Sequence, residues 1–132
     1  MSEKSLISIV DDDEEIRDAL GVLMRSLGFN VQVFASAEAF LESKRVDGTA
    51  CLIADVQMPG MSGPELHGHL ISTGSAIPTI LMTAFPDERI RERALQAGVL
   101  GYLTKPFTED ELMTCIRKGL GQPESKGKSA GP

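Results

Sequence analysis

Four short apolar runs in this 132-residue chain each end at a polar side chain that could take part in phosphoryl transfer. Three carboxylates, a hydroxyl and an ammonium stand at these ends: Asp11, Asp12, Asp55, Thr83 and Lys105. Short apolar runs that alternate with segments of helical periodicity are typical of buried parallel strands. Because the carboxyl ends of parallel strands meet at one edge of a sheet, we expect these side chains to converge in one crevice.

The carboxylates of this group would repel one another at close range, which would raise the pKa of at least one of them. A divalent cation would relieve the repulsion, and all-oxygen ligands in an open site favour Mg²⁺. The alternative for Asp11, Asp12 and Asp13 is a solvated acidic turn that caps the first helix. Asp55 ends a strand that is predicted to be central, and this position favours the metal-site interpretation.

Asp55 could act as a metal ligand only, as a general base, or as a nucleophile that forms an aspartyl phosphate. Phosphoryl transfer needs little beyond alignment and neutralisation of charge. The metal and Lys105 would supply the positive charge, and Thr83 could donate a hydrogen bond to a phosphoryl oxygen. An ordinary surface lysine and an ordinary strand-end hydroxyl are the alternatives for these two residues.

The elements that position these residues follow a regular alternation. Strands are predicted at residues 5–10, 30–34, 50–54, 78–82 and 100–104, and a segment with helical features follows each strand. Five such βα units predict right-handed crossovers and a single flavodoxin-like, doubly wound α/β domain. The predicted order of its five-stranded parallel sheet is 2-1-3-4-5, which places the first and third strands side by side.

Local signals predict where several helices begin and end. Gly28 is expected to follow the end of the first helix, and Ser36 is expected to cap the second. Pro86 is predicted to open the fourth helix, and Thr108 and Glu111 have the spacing of a capping box at the start of the fifth. Residues 1–120 are therefore predicted as one domain, and residues 121–132 as a flexible tail or the start of a linker.

Composition excludes several classes of function. The net charge of −6 and the pI near 4.9 argue against a nucleic-acid surface and against a basic membrane-binding patch. No stretch resembles a signal peptide or is long enough to span a bilayer, so a cytoplasmic location is expected. Cys51 and Cys115 are expected to be free buried thiols.

Several separated motifs resemble, in the right order, those of response-regulator receiver domains of two-component systems. They are VDDD at 10–13, DVQMPGMSG at 55–63, TA at 83–84 and KPF at 105–107, and the resemblance covers about residues 4–120. The segment SAEAFL at 36–41 is also similar to FixJ-like regulators. The resemblance implies a signalling protein that catalyses only its own phosphorylation and dephosphorylation.

The family likeness implies a role for each matched acidic residue. Asp55 would be the phosphoacceptor, which takes a phosphoryl group from a phosphohistidine on a sensor histidine kinase or on a phosphotransfer protein of a phosphorelay. Mg²⁺ would be bound directly by Asp12, through water by Asp11, and also by Asp55. The main-chain carbonyl of Gln57 would be a further metal ligand.

The likeness also implies roles for residues on the last two strands. Lys105 would pair with the phosphoryl group, and Thr83 would move to donate a hydrogen bond to it, assisted by the N–H of Ala84. Tyr102 would be the switch aromatic that turns inward when Thr83 moves; a half-buried aromatic on an edge strand is the alternative. The bond between Lys105 and Pro106 would be cis, as X–Pro peptides permit.

Phosphorylation would then shift the conformation of the face built by the fourth helix, fifth strand and fifth helix, where a homodimer could form. Two other functions compete with this hypothesis. A Mg²⁺-dependent phosphohydrolase of the haloacid dehalogenase type needs a second acid two residues after its aspartyl nucleophile, and Gln57 stands there. A flavodoxin-like cofactor binder would place phosphate against residues 11–13, which would repel it.

One further position could tune the lifetime of the phosphorylated state. Phe85 lies two residues after Thr83, and it should flank the path of a hydrolytic water together with Gln57. A bulky apolar ring there is expected to hinder that water. A surface aromatic that awaits a partner is the alternative.

Overall fold

Five short strands form a parallel sheet in the computed structural model of the protein, which describes residues 5–121. The strands are β1 (Leu6–Val10), β2 (Asn30–Phe34), β3 (Cys51–Asp55), β4 (Thr79–Thr83) and β5 (Gly101–Thr104). The order β2-β1-β3-β4-β5 confirms the predicted flavodoxin-like topology. Every residue of β3 and β4 is buried, which explains why these strands are apolar almost throughout rather than alternating.

Five helices connect the strands and cover both faces of the sheet. They are α1 (Glu14–Ser26), α2 (Ala37–Glu42), α3 (Gly63–Ser72), α4 (Glu88–Gln96) and α5 (Glu109–Gly119). Each helix is preceded by a Ser, Thr or Asp whose side chain accepts a hydrogen bond from a backbone N–H of the first turn. Such caps satisfy donors that the helix itself leaves unpaired.

The predicted caps at Ser36 and Thr108 are confirmed, and Gly28 follows the end of α1 with a positive φ of 98°. The prediction that Pro86 opens α4 is wrong. The carboxylate of Asp87 accepts the N–H groups of residues 89 and 90, so the helix begins at Glu88. A capping carboxylate fixes a helix start more strongly than a proline, which only tolerates the first turn.

Alternating strand residues divide the core into two apolar clusters, one on each face of the sheet. On one face α1 and α5 pack over strand residues that include Ile7, Ile9, Ile53 and Ile80. On the other face α2, α3 and α4 pack over strand residues that include Val10, Leu52, Ala54 and Leu81. The two layers hold the sheet rigidly and leave its carboxyl edge uncovered.

Both cysteines are buried and free, as predicted. Burial raises the pKa of the Cys51 thiol to about 12, so the thiolate is strongly disfavoured. No helix in the described part of the chain has the length and apolar character needed to cross a bilayer. The tail predicted over residues 121–132 lies outside the described residues, apart from residue 121.

Gly63 lets α3 begin directly against the end of β3. A Cβ at this position would collide with the main-chain oxygen of Asp55 and would lie 3.0 Å from Leu81 Cδ2. Gly68 lies on the same helix, and a Cβ there would meet nothing within 4 Å. Close packing therefore requires a glycine at position 63, whereas nothing in the described structure requires one at position 68.

We expect Gly63→Ala to lower the free energy of unfolding by about 1–3 kcal/mol, because overpacking displaces the end of β3. Gly68→Ala should instead raise it by about 0.5–1 kcal/mol, because alanine favours the helix. Urea unfolding of both variants checks the pair. Equal effects of the two substitutions would contradict the close approach of α3 to Asp55.

Candidate functional site

Strand ends bring most of the predicted site residues to one edge of the sheet. Asp11 directly follows β1, Asp55 is the last residue of β3, and Lys105 directly follows β5. Thr83 is the last residue of β4, one position beyond Met82, which is the register partner of Asp55. The predicted strands stopped one residue short of Asp55 and Thr83, so these two polar groups belong to the sheet itself.

Backbone hydrogen bonds fix the positions of these residues. The N–H of Asp11 donates to the carbonyl of Phe34 on β2, at 3.1 Å. The N–H of Lys105 donates to the carbonyl of Thr83, at 2.8 Å. The backbone hydrogen bonding of the sheet thus extends one residue past β1 and β5, to Asp11 and Lys105.

Lys105 joins two carboxylates that are remote in sequence. Its Nζ lies 2.9 Å from Asp55 Oδ1 and 3.1 Å from Asp11 Oδ2. The Asp11 side chain is 1% exposed, that of Asp55 is 10% exposed and that of Lys105 is 17% exposed. Burial alone would lower the pKa of Lys105, but the hydrogen bonds and negative charges of the two aspartates outweigh it and raise the pKa.

Asp55 retains an excess of negative charge around it. Its burial raises the pKa of its carboxyl, and the charges of Asp11 and Asp12 act in the same direction. The hydrogen bond and charge of Lys105 oppose this shift but do not overcome it, so the net pKa is raised. Burial is thus the main cause of the raised pKa, and the predicted repulsion between neighbouring carboxylates adds to it.

The acidic residues fit a hard divalent cation. One carboxylate oxygen from each of Asp11, Asp12 and Asp55 lies within 4.8 Å of the other two. Asp11 already uses both oxygens, because Oδ1 accepts the N–H of Asp13 at 2.8 Å and Oδ2 accepts Lys105. Asp12 is exposed, and within residues 5–121 its carboxylate has no protein hydrogen bond, so it is the acid best placed to bind an ion directly.

Helix capping, one of the two alternatives for the acidic run, accounts for only one of its three members. Asp13 is the N-cap of α1, and its side chain accepts the N–H groups of Glu15 and Ile16. Asp11 and Asp12 belong to the carboxylate cluster. Gln57 lies in the loop between β3 and α3, with its side chain exposed.

Two hydroxyls accept backbone N–H groups of the connection between β4 and α4. The Oγ1 of buried Thr83 accepts the N–H of Phe85 at 3.0 Å, and the intervening Ala84 is exposed. The hydroxyl of half-buried Tyr102 accepts the N–H of Asp87, the N-cap of α4, at 3.2 Å. Tyr102 also packs against the core cluster beneath α2–α4. The start of α4 is thus tied to both β4 and β5.

The bond between Lys105 and Pro106 is cis, as the family likeness implied.

The two histidines lie on α3, away from this edge: His67 is buried and His69 is exposed. The exposed ring of Phe85 is 70% accessible.

Sequence reasoning missed three contacts that support the site. The Arg17 guanidinium donates to the carbonyl of Asp11 at 2.7 Å, and Ser62 forms a capping box with Glu65 at the start of α3. The carboxylate of Glu38 on α2 accepts the N–H of Met61 at 3.0 Å, in the loop after β3. The spacing of Ser62 and Glu65 was a readable signal. No local sequence pattern predicts the contacts of Arg17 and Glu38.

Comparison with known proteins places the chain in a defined group. The sequence profile described as "Response regulator receiver domain" matches residues 7–117. The response regulator protein TmoT of Ectopseudomonas mendocina is 41% identical over 118 residues, which is 89% of this chain and 54% of TmoT. The transcriptional regulatory protein FixJ of Bradyrhizobium diazoefficiens is 36% identical over 129 residues, which is 98% of this chain and 63% of FixJ.

Solved structures give the same result. The response regulator StyR has a TM-score of 0.83 and 41% identity, and the match covers 90% of this chain and 60% of that structure. The structure titled FixJ-N has a TM-score of 0.81 and 32% identity, and the match covers 91% of this chain and 96% of that structure. The chain spans between half and two thirds of the length of TmoT and FixJ.

We expect Glu38→Ala to free the loop after β3, because the N–H of Met61 loses its acceptor. The loss should be about 0.5–1.5 kcal/mol of local stability, since a single hydrogen bond of this kind contributes that much. Faster hydrogen exchange of the Met61 amide checks it. Glu42→Ala is the control, because Glu42 lies exposed on the same helix and makes no hydrogen bond to the loop within residues 5–121. Equal exchange in both variants would contradict the role of Glu38.

Proposed function

This chain belongs to the response regulator receiver family of two-component systems, and we propose that it is a switch operated by phosphorylation of Asp55. The observation that carries the proposal is the Lys105 ammonium between Asp55 and Asp11, within a cluster of three carboxylates. A receiver is a signalling module. We propose that this one catalyses only its own phosphorylation and dephosphorylation.

The carboxylates of Asp11, Asp12 and Asp55, with the main-chain carbonyl of Gln57, would hold Mg²⁺. When bound, this ion neutralises charge on the phosphoryl oxygens. The raised pKa of Asp55 supports a site that gains from further positive charge. The carboxylate of Asp12, which has no protein partner among the described residues, supports its assignment as a direct ligand.

Asp55 would act as the nucleophile. Lys105 lies on Oδ1, and Oδ2 has no hydrogen-bond donor within the described range, so Oδ2 is the oxygen free to attack. In the transfer step, a bond forms between Oδ2 and the phosphorus of a phosphohistidine, and the N–P bond breaks. The electron pair of that bond stays on the imidazole, which takes up a proton. Lys105 would then pair with the new phosphoryl group.

Thr83 would respond to phosphorylation of Asp55 by changing its hydrogen-bond partner. Its hydroxyl now accepts the N–H of Phe85, and we propose that it moves to donate to a phosphoryl oxygen, with the N–H of Ala84 assisting. Tyr102 would turn inward in response. Because the Tyr102 hydroxyl holds the N-cap of α4, its movement would release the start of that helix. Phosphorylation would thus shift a conformational equilibrium at the face built by α4, β5 and α5.

Partners follow from this role. The phosphodonor would be a sensor histidine kinase or a phosphotransfer protein of a phosphorelay, and a homodimer could form through α4, β5 and α5. The net charge of −6 supports a domain that binds neither nucleic acid nor membrane directly. We place the protein in the cytoplasm, with residues 1–120 as the receiver and residues 121–132 as a tail or the start of a linker.

Incubation with Mg²⁺ and acetyl phosphate, followed by intact-mass measurement, tests the phosphoacceptor. We expect one phosphoryl adduct on the wild type and none on Asp55→Asn, because the amide cannot form an acyl phosphate. Asp13→Asn is the matched control, since asparagine also caps a helix, and it should be modified like the wild type. Chelation of Mg²⁺ should suppress the adduct.

An adduct that persists on Asp55→Asn, or none on the wild type, would refute the assignment of Asp55. Release of inorganic phosphate over many turnovers would instead favour the aspartyl phosphohydrolase. That outcome is disfavoured because Gln57 occupies the position of the second acid.

Phe85 is expected to lengthen the life of the phosphorylated state. Its N–H is bound to Thr83, which keeps the exposed ring beside the proposed route of the hydrolytic water. Phe85→Ala should accelerate dephosphorylation roughly threefold to tenfold, which corresponds to about 0.7–1.4 kcal/mol of barrier. The decay of the phosphoryl adduct after removal of the donor measures the rate. Val22→Ala, at an exposed apolar position on α1, should leave it unchanged, whereas an unchanged or slower rate in Phe85→Ala would refute the hindrance.

A further inference from the structure

A cavity of about 760 Å³ lies on the α2–α4 side of the sheet, between the loop after β3, the first half of α3 and one face of α4. Its apolar walls come from Val56, Met58, Ile90, Ala94 and Val99. None of the four residues that form the carboxylate and ammonium cluster lines it. Its volume and apolar lining are those of sites that bind small molecules.

His67 contributes a polar group with no partner to this cavity. The residue is 5% exposed, it lines the cavity from α3, and its ring makes no hydrogen bond within the described structure. Burial lowers the pKa of His67, so the imidazole stays neutral and carries one donor and one acceptor. Because a buried polar group without a partner is costly, the cavity is expected to supply one.

Arg93 contributes the charge. Ile90, Arg93 and Ala94 are spaced so that they share one face of α4, and they line the cavity together with Ala97, the residue that follows the helix. Arg91, on another face, pairs with Glu88 at 3.3 Å. Arg93 has no carboxylate partner among residues 5–121. A guanidinium without a partner beside an apolar cavity favours a planar anion, which it can bind through two hydrogen bonds.

We propose that this cavity binds a small carboxylic acid with an apolar body, for which benzoate is a probe, with its carboxylate on Arg93, a hydrogen bond to His67 and its apolar body among the apolar walls. The charge of Arg93 selects an anion, and the apolar lining selects against inorganic phosphate, which has no apolar body to bury. A volume of about 760 Å³ lies within the range of sites that bind small molecules. The site is distinct from the phosphorylation site, although Gln57 lines the same cavity.

Titration of the isotope-labelled protein with benzoate, followed by two-dimensional NMR, tests the site. We expect saturable shifts of resonances in the loop after β3, in α3 and in α4. Benzyl alcohol, which has the same ring without the charge, should bind at least roughly tenfold more weakly, a difference of about 1.4 kcal/mol. Phosphorylation is not needed for this measurement, so its outcome is independent of the proposed function.

Variants separate this site from other cationic surfaces. Arg93→Gln should weaken benzoate binding about tenfold and leave benzyl alcohol unchanged, because it removes only the charge. Arg91→Gln on the same helix is the control and should change neither affinity. Since Arg93 is exposed, its variant should fold, and its urea midpoint verifies this. His67→Leu should weaken benzoate without abolishing the shifts.

Two results would overturn the proposal. One is the absence of saturable shifts with benzoate, which would mean that water alone satisfies His67. The other is equal benzoate affinity in the wild type and Arg93→Gln, which would mean that the acid binds elsewhere, for example at Lys105.

Discussion

Two buried carboxylates, Asp11 and Asp55, share one edge of the sheet because the ammonium of Lys105 lies between them. Each charge would be costly in this position alone, since removing one partner of a buried pair leaves the other uncompensated. The ammonium can reach both because β1 and β3 are neighbours and the chain continues from β5 to the same edge. The sheet order is therefore what makes the charge arrangement possible.

The negative charges of this cluster outnumber its positive charge. Three carboxylates face one ammonium, and the charges of Asp11 and Asp12 add to the burial that raises the pKa of Asp55. A bound cation would reduce this repulsion and, under the proposed function, would also favour an added phosphoryl group. A site with equal numbers of positive and negative charges would bind a cation less favourably.

The helix α4 adjoins the candidate site and buries few of its side chains. Ala94 is its one buried residue, whereas α3 buries Leu66, His67 and Leu70. Hydroxyls of Thr83 and Tyr102 hold the connection at its start, and a cavity underlies one of its faces. An element with few buried side chains opens at low free energy. The carboxyl edge and the cavity thus adjoin the same helix, which buries one residue.

The sequence alone determined the topology and the identity of the residues at the sheet edge. Buried parallel strands appear in the sequence as apolar runs, and the polar residue at the end of each run can be identified without any knowledge of packing. Caps at Ser36 and Thr108 were readable for the same reason, because capping depends on residues three or four positions apart. Asp87 was missed because Pro86 gave a competing local signal.

Only the tertiary structure decided which acids do what. It assigned Asp13 to the cap of α1 and left Asp12 without a protein partner, although the three aspartates are adjacent in sequence. It also brought the carboxylate of Glu38 on α2 into contact with the loop after β3, and it buried His67 beside a cavity. These contacts join residues from separate elements, and they depend on how the layers pack, which no local periodicity encodes.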